Sequence, residues 1–592
     1  MMLTDPEVTK TSVTLHFRNI WKPTRSVNLA AFRESIIRRL VQEMINRRLD
    51  GAMTDPETTY FKASATIEQK ENLKLYPRHY SIVAFAVPGK AEEALVELLR
   101  TTEAIRRHGF HDSEIASVKD VMIENIKTHI AGIGSDYKKP KSSNLEEYYL
   151  ASIPMFAMGW WLTATMKMLP GISAKDINTA VKDYFGDDNI LVGIFAPELE
   201  RCTLPSEDRI RQLVTRRENM TVERLNPRKA AGRFLSQPPK RGRIISETVD
   251  SATGSTIWEL SNGMRVILHP TKNTRDDIAL AAIAKGGTSC AAQLASVSRL
   301  AVKMWSDSGL GPWSNADVTQ MLASKQVSLD FSVEQFNRCF EGGSAVGDLQ
   351  ILFELIHLHF DDPKIDPEVV KAFQDYHLPS LLLRGEDPET VFKDECVRII
   401  TNDHPRYRRL MLADFSAIDI DEATAFLQRC FNPADFTFAF VGSLKPKMMR
   451  GHVETYLASI PCGKEKWNTW TELDIKWPGN AESIVFAGLE DRSIVQMTWY
   501  APITFSEPIY ILVKILCTQL ERKLYDELMD NDEIASSMAY SAALDLPLSR
   551  LKRRHRYIDA VIPTGVLRLV TLLLRNGTVK VMLFPKAHSA AT

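Results

Sequence analysis

Disulfides, a leader and a global charge are all missing from this sequence. Its 592 residues hold seven cysteines: Cys202, Cys290, Cys339, Cys396, Cys430, Cys462 and Cys517. The nearest two, Cys430 and Cys462, are 32 positions apart, the number is odd and no C-x-x-C occurs. That argues against a disulfide framework and against a cysteine zinc site, and the thiols read as small, mostly buried apolar groups. With 73 basic against 74 acidic side chains the net charge is −1, so no field draws the protein to nucleic acid or to an anionic membrane. The N-terminus MMLTDPEVTKTSV is polar and carries no apolar core of a signal peptide, which leaves the compartment unknown. One uncharged stretch, Tyr148 to Met166, is long enough to span a bilayer. It also contains Ser152, Pro154, Gly159, Thr163 and Thr165, and reads as a buried helix with a proline break rather than a membrane span.

What is present is ordinary globular material. Hydrophobic residues make up 44% and charged residues 25%, enough for large cores. At roughly 150 residues per domain the length suggests about four domains. Val13, Leu15 and Phe17 alternate with polar residues and predict a strand. Phe32, Ile36, Leu40, Met44 and Ile45 recur near 3.6 spacing and predict a helix over 28–49. Ser81 to Val87 reads as a strand, Pro88-Gly89 as a turn, and 90–107 as a helix stopped by Gly109. Asp112 or Ser113 is the expected cap of a helix over 114–130.

A repeat organises the chain. Ser173, Ala174, Asp176, Ile177 and Ala180 recur 243 residues later as Ser416, Ala417, Asp419, Ile420 and Ala423. Each copy runs into a helix and then an apolar strand, Ile190 to Phe195 and Phe436 to Val441, which suggests duplication of a large unit. Between the copies, 205–247 carries 11 Lys/Arg and 5 Asp/Glu with Pro227, Pro238 and Pro239. It reads as a solvated tether, because no series of aromatics accompanies its charge. The second copy opens with a hairpin, Ile257–Leu260 and Met264–His269 around Ser261-Asn262-Gly263. A strand Ile278–Ala284 then ends at Gly286-Gly287, and helical patterns are expected through about Arg384. Hairpins mixed with helices imply α+β layers with antiparallel sheets.

Several stretches carry a family resemblance: ELSNGMRVILHPTKN (259–273), ELIHLHFDDPKIDPEVVKAF (354–373) and SAIDIDEATAFLQRCFNPADFTFAFVGSLK (416–445). INRRLDGAMTDPETTYFKASATI (45–67), VPGKAEEALVELL (87–99) and HGFHDSEIASVK (108–119) join them. Together, over roughly residues 10–530, the chain resembles the pitrilysin/insulinase family of zinc peptidases, and most of all its two-half, four-domain bacterial members. The resemblance implies α+β domains repeated to form a clamshell around a chamber for unfolded peptide. It implies the division 1–204 (second domain of the first half), 205–247 (charged linker), 248–460 (third domain) and 461–592 (fourth domain, incomplete). Full-length relatives bind zinc through an H-x-x-E-H helix and a downstream Glu, with the motif Glu activating metal-bound water. They are often periplasmic.

None of the thirteen histidines lies in H-x-x-E-H. His111 and Glu114 are followed by Ile115, and that site reads as a helix start. Glu354 and His357 share a helix with His359, but the two histidines are expected on different faces. In the third domain the motif's place should fall near 299–309, where Leu300, Lys303 and Met304 stand for the two His and the Glu. The fourth domain of relatives carries an Arg, a Gly-Gly and a Tyr that stabilise the scissile carbonyl after a helix like LERKLYDEL (520–528). Here the Arg position is Met529, and Tyr540 is the one weak candidate for the Tyr. From about Leu546 the resemblance fades into LSRLKRRHR (548–556). The chain is thus expected to start within the second domain, to bind no metal or other cofactor, and to lack peptidase activity alone. The alternatives are a non-catalytic partner or scaffold for a zinc-bearing chain, and an active metalloendopeptidase with an unrecognised metal site. The expected partners are that zinc-bearing chain or domain and unfolded peptides.

Overall fold

The fold is that of a computed structural model. It describes residues 1–6, 8–19, 28–53, 58–68, 78–132, 158–186, 189–224, 233–272, 276–291, 295–323, 325–361, 363–382 and 387–463. Beyond these it describes 467, 469, 481–487, 493–501, single residues between 508 and 523, 542–545, 565–574 and 579–584.

Three sheets follow one another. The first holds β1 (Met2–Asp5), β2 (Ser12–Asn19), β3 (Tyr60–Glu68), β4 (Arg78–Ala86) and β5 (Ile190–Pro197), in the order β1-β5-β2-β4-β3. The second holds β6 (Ile244–Val249), β7 (Thr256–Leu260), β8 (Arg265–Pro270), β9 (Asp277–Lys285), β10 (Val327–Val333), β11 (Asn337–Ala345) and β12 (Phe436–Gly442). Its order is β10-β11-β9-β12-β8-β7-β6. Read from β8, the series β8-β12-β9-β11-β10 repeats the first sheet strand for strand. The pairs β1/β5 and β8/β12 are parallel, and every other neighbour in the two series is antiparallel. The fold is α+β, with antiparallel-rich sheets and helices.

The letters of the repeat and its structure differ by three residues. Ile177, Val181 and Tyr184 are the buried face of helix Ala174–Tyr184, and Ala423, Leu427 and Cys430 that of helix Ile420–Cys430, 246 positions on. The same shift carries Val192 and Ile194 onto Phe438 and Phe440. The 243-residue match therefore sits nearly one helical turn out of register. Ser173 caps the first helix, whereas Asp419 caps the second by accepting from the Asp421 and Glu422 amides. The shared letters mix capping residues with core ones, and the buried positions repeat at 246.

Each of these units packs its helices on one sheet face. In the first, Val13, Leu15 and Phe17 meet Ile36, Leu40, Leu95, Leu98 and Ile177. In the second, Phe436, Phe438 and Phe440 meet Met304, Phe353, Phe360 and Leu427. The helix over 28–49 spans Leu29–Ala52 with Asn28 as its cap, and the helix before Gly109 spans Ala91–His108. The next begins earlier than expected, at Asp112. The Asn-Gly hairpin is in place, with Gly263 at φ 83 and its amide donating to Leu260 O.

Three expectations need correcting. Residues 327–345 are the hairpin β10–β11, not helix. V-S-L-D-F-S-V alternates strictly, with Ser328, Asp330 and Ser332 exposed, and the apolar helices on either side obscure that period. The segment 205–247 is folded at both ends. Helix Glu207–Arg216 buries Ile210 and Leu213 in the first core, and Arg107 donates to Glu218 O and Met220 O. At the far end Arg241 Nε donates to Thr455 Oγ1 at 3.1 Å and the Gly242 amide to Glu454 O at 2.9 Å, before β6 begins. Among the described cysteines Cys396 and Cys430 are buried, Cys290 and Cys339 half-buried, and Cys202 and Cys462 exposed.

The third sheet has the order β13-β17-β14-β16-β15, from β13 (Ala481–Val485), β14 (Ser493–Ala501), β15 (Ala542–Asp545), β16 (Gly565–Leu574) and β17 (Val579–Phe584). Its last strand fills the slot of β5 and β12 with opposite polarity, parallel to β14 and antiparallel to β13. Only residues 575–578 separate β16 from β17. A link that short cannot make the long crossover that returns β5 and β12 from the far end. Of the uncharged stretch, Met158–Met168 is helical, and the part before it lies outside the described residues. No helix among the described residues is long and apolar enough to cross a membrane.

Candidate functional site: the uncovered sheet faces

Among the described residues no helix packs on the opposite face of the sheet in either unit. In the second unit the strand registers set three rungs across five strands. The first is His269, Val441, Ala279, Gly343 and Ser328. The second is Ile267, Ala439, Ala281, Glu341 and Asp330, and the third is Arg265, Thr437, Ile283, Cys339 and Ser332. Ala279, Ala281, Val441, Glu341, Ser328, Asp330 and Ser332 are exposed. The centre of the face is alanine, threonine and glycine, which leaves a floor of low relief. At its rim Arg265 pairs with Glu259 at 3.3 Å, and His269 Nδ1 lies 3.0 Å from Ser255 Oγ. Asp330 and Glu341 oppose each other directly.

The first unit has the same rungs with other chemistry. They are Leu3, Phe195, Ser12, Phe85 and Lys62; then Gly193, Thr14, Val83 and Ser64; then Leu191, His16, Ser81 and Thr66. Leu3 is 51% and Phe195 41% exposed, so one rung is an apolar strip. Val83 and Ser64 stand where the second unit has Glu341 and Asp330.

These faces offer contact rather than chemistry. Cys339 is the one thiol on the second face, and burial, then Glu334 and Glu341, push it up to about 12, so it stays protonated. Single strands alternating small residues with exposed polar ones suit an extended chain lying against them.

The sequence-predicted residues lie elsewhere, and the structure gives each another task. Glu114 holds Arg48 through both carboxylate oxygens, at 2.9 and 2.8 Å, and accepts the His111 amide at 2.8 Å. It opens a helix and braces Arg48. His357 Nδ1 meets Tyr456 O at 2.8 Å, and His359 Nδ1 meets Leu355 O at 2.7 Å. His359 is enclosed by the rings of Trp305 and Phe340, and burial lowers its pKa to about 4. Glu354 is buried and takes its hydrogen bonds from Gln350 and Tyr456. Tyr540, Met529 and the basic cluster 548–556 lie outside the described residues.

The place of the zinc helix can be tested for fit. Helix Ala295–Ser308 follows β9 as helix Leu29–Ala52 follows β2. Leu300 and Met304 point into the core, at 5% and 0% exposure, and Lys303 pairs with Asp307 at 3.3 Å on the outer side. An alkyl group, a thioether and an ammonium do not make a zinc site. Helix Leu29–Ala52 has neither His nor Cys. Among the described residues no three His, Cys, Asp or Glu side chains converge to hold a metal.

Sequence reasoning missed the buried Arg338. Its signal was a lone arginine, in N-R-C-F-E-G-G, at an inward position of a strand that had itself gone unread.

Comparison with known proteins agrees with this architecture. The "Peptidase M16 inactive domain" family matches residues 417–547. "Probable zinc protease PqqL" of Escherichia coli (strain K12) is 22% identical over 453 residues, which cover 71% of this chain and 45% of that protein. The protein of the same name from Haemophilus influenzae is 23% identical over 274 residues, 45% of this chain and 29% of that one. Among solved structures, the ferredoxin protease FusC in complex with Arabidopsis ferredoxin superposes with a TM-score of 0.58 at 15% identity. That match covers 97% of this chain and 61% of FusC. The chain spans less than half the length of the curated relatives it matches.

Proposed function

The chain belongs to the pitrilysin/insulinase family of peptidases, and from that premise we propose that it is a non-catalytic, peptide-holding part of such a peptidase. Its two uncovered sheet faces are the walls against which an unfolded peptide lies. Hydrolysis, where it occurs, is supplied by a zinc-bearing domain or chain docked beside it. In that setting the metal would polarise the scissile carbonyl and activate water, and nothing in this chain's described residues takes that part.

One observation carries the reading. The helix Ala295–Ser308, in the place of a zinc helix, turns Leu300 and Met304 into the core. The positions are spent on packing, so restoring a site there would mean burying two imidazoles and a carboxylate in an apolar core. The domain division 1–204, 205–247, 248–460 and 461–592 belongs to the same proposal, with the qualification that 207–219 folds with the first unit.

Binding of a fluorescent unfolded peptide tests the holding role. The proposal expects saturable anisotropy with no loss of peptide length by mass spectrometry. Exposed alanines on the open face give the control: Ala279→Lys and Ala281→Lys should weaken binding without changing stability. Absence of any saturable binding across several unrelated peptides would sink the reading.

A further inference from the structure

Strands β3 and β10 end the first two sheets at matching places, and only one of them is shut. In the first unit helix Leu29–Ala52 packs beside β3. Asn46 Nδ2 donates to Ala65 O at 3.2 Å, and Asn46 Oδ1 accepts from the Ala65 amide at 2.6 Å. Gln42 Oε1 accepts from the Ile67 amide at 3.0 Å. One carboxamide thus takes both hydrogen-bonding groups of a strand residue, as the backbone of a neighbouring strand would. The spacing fits, since four helical residues rise about 6 Å and two strand residues about 6.8 Å. Positions 46 and 42 of the helix therefore meet positions 65 and 67 of the strand.

Strand β10 has no such cover. The Glu334 amide donates to Asn337 O at 2.8 Å, which fixes the phase of the β10–β11 hairpin. The bonded pairs are then Ser332 with Cys339 and Asp330 with Glu341, so Leu329, Phe331 and Val333 turn their N–H and C=O groups outward. Among the described residues nothing donates to those carbonyls or accepts from those amides. Helix Ala295–Ser308 is 14 residues long against 24 and holds neither Asn nor Gln. It meets β10 through the Trp305 ring, 5.7 Å from that of Phe331.

Exposed edges are ordinarily blunted by lysine, proline, a bulge or brevity. Strand β1 has four residues, and β6 is bulged between Ile244 and Ser246. In contrast, V-S-L-D-F-S-V has neither lysine nor proline, and it pairs with β11 from Val327 to Val333 without a shift.

We propose that an extended peptide adds to β10 as a further strand, and that Asn46 and Gln42 keep it off β3. The inference rests on the peptide-holding reading and gives it an anchor of main-chain hydrogen bonds. Such bonds ignore side-chain identity, so the partner is an unfolded segment free of proline. The added strand borders Ser328, Asp330 and Ser332, where the three rungs of the open face end.

The test uses the full chain and two peptides of one sequence, the second N-methylated throughout its centre. N-methylation removes the donors and keeps the side chains. Binding is followed by anisotropy, and hydrogen exchange at single-residue resolution locates the peptide. The methylated copy should bind at least about tenfold more weakly. The unmodified one should slow the Leu329, Phe331 and Val333 amides by about tenfold and leave Ala65 and Ile67 unchanged. In the double variant Gln42→Ala, Asn46→Ala the Ala65 and Ile67 amides should exchange faster, and peptide should now slow them as well. Gln42→Ala alone, read at Ile67, serves if the double variant fails to fold. Equal binding of the two peptides, or no slowing at 329, 331 and 333, would overturn strand addition while peptide holding stood. Amides of β3 that peptide fails to slow in the variant would overturn the guarding role. Binding of neither peptide would sink the holding reading, and this inference with it.

Discussion

Phe340→Ala is the sharpest perturbation of the second core. Phe340 is fully buried on β11, and its ring lies 4.7 Å from Phe331, 5.6 Å from Phe436, 5.7 Å from Phe438 and 5.8 Å from Phe360. It is the hub of an aromatic cluster joining the sheet to helix Leu349–Phe360. The neighbours are large rings fixed on two strands and a helix, so they cannot collapse into the space left. The upper part of the usual range for such a truncation therefore applies, about 4–5 kcal/mol. With a urea slope of roughly 2 kcal/mol/M, the midpoint should fall by about 2 M with the slope unchanged. The first unit has a separate core, so its unfolding should stay where it was. Tryptophans occur in both units, so hydrogen exchange read peptide by peptide is the measurement that separates the two. A loss under about 1 kcal/mol, or an equal loss in both units, would refute the description of two independent cores.

Other outcomes follow from the same contacts. Met304→Ala should cost about 2–5 kcal/mol and Lys303→Ala within about 0.5 kcal/mol, measured by urea melts, because one is core and the other a surface ion pair. His359 is neutral when folded, with its pKa lowered to about 4 against the usual 6.5. The unfolded chain binds the extra proton first, so the second unit should lose stability as pH falls from about 6.5 toward 4, by on the order of 3 kcal/mol, and His359→Phe should flatten that slope. Glu103 is buried against Arg106, Arg107 and Arg217, the last only 2% exposed. Glu103→Gln should destabilise the first unit by about 3 kcal/mol in thermal or urea unfolding, since it strands a buried guanidinium.

Local chemistry made much of this fold readable. Asn28, Gly109 and the Asn262-Gly263 turn mark element ends through backbone rules that tertiary contacts rarely override. The alternation of Phe436, Phe438 and Phe440 announces an inward face. Two features escaped for physical reasons. The strand Val327–Val333 has only half-buried apolar residues and polar ones between, so it lacks the hydrophobic run that flags a central strand. The repeat was found by a five-letter match at 243 that pairs a cap of one helix with a residue outside the other, while the 246-residue spacing is visible only in which side chains are buried. The open faces were not legible at all, since a rung is made by strands far apart in sequence. Arg338 was equally hidden: its partners lie at 285, 286, 430, 435 and 467.

The central claim is that this chain holds peptide without cutting it. The direct measurement is zinc content of the purified chain by elemental analysis, with cleavage of a quenched fluorescent peptide followed on the same sample with and without chelator. The account predicts zinc far below one per chain and no chelator-sensitive turnover. Stoichiometric zinc with chelator-sensitive cleavage would contradict it, and would place a metal site among side chains assigned here to packing.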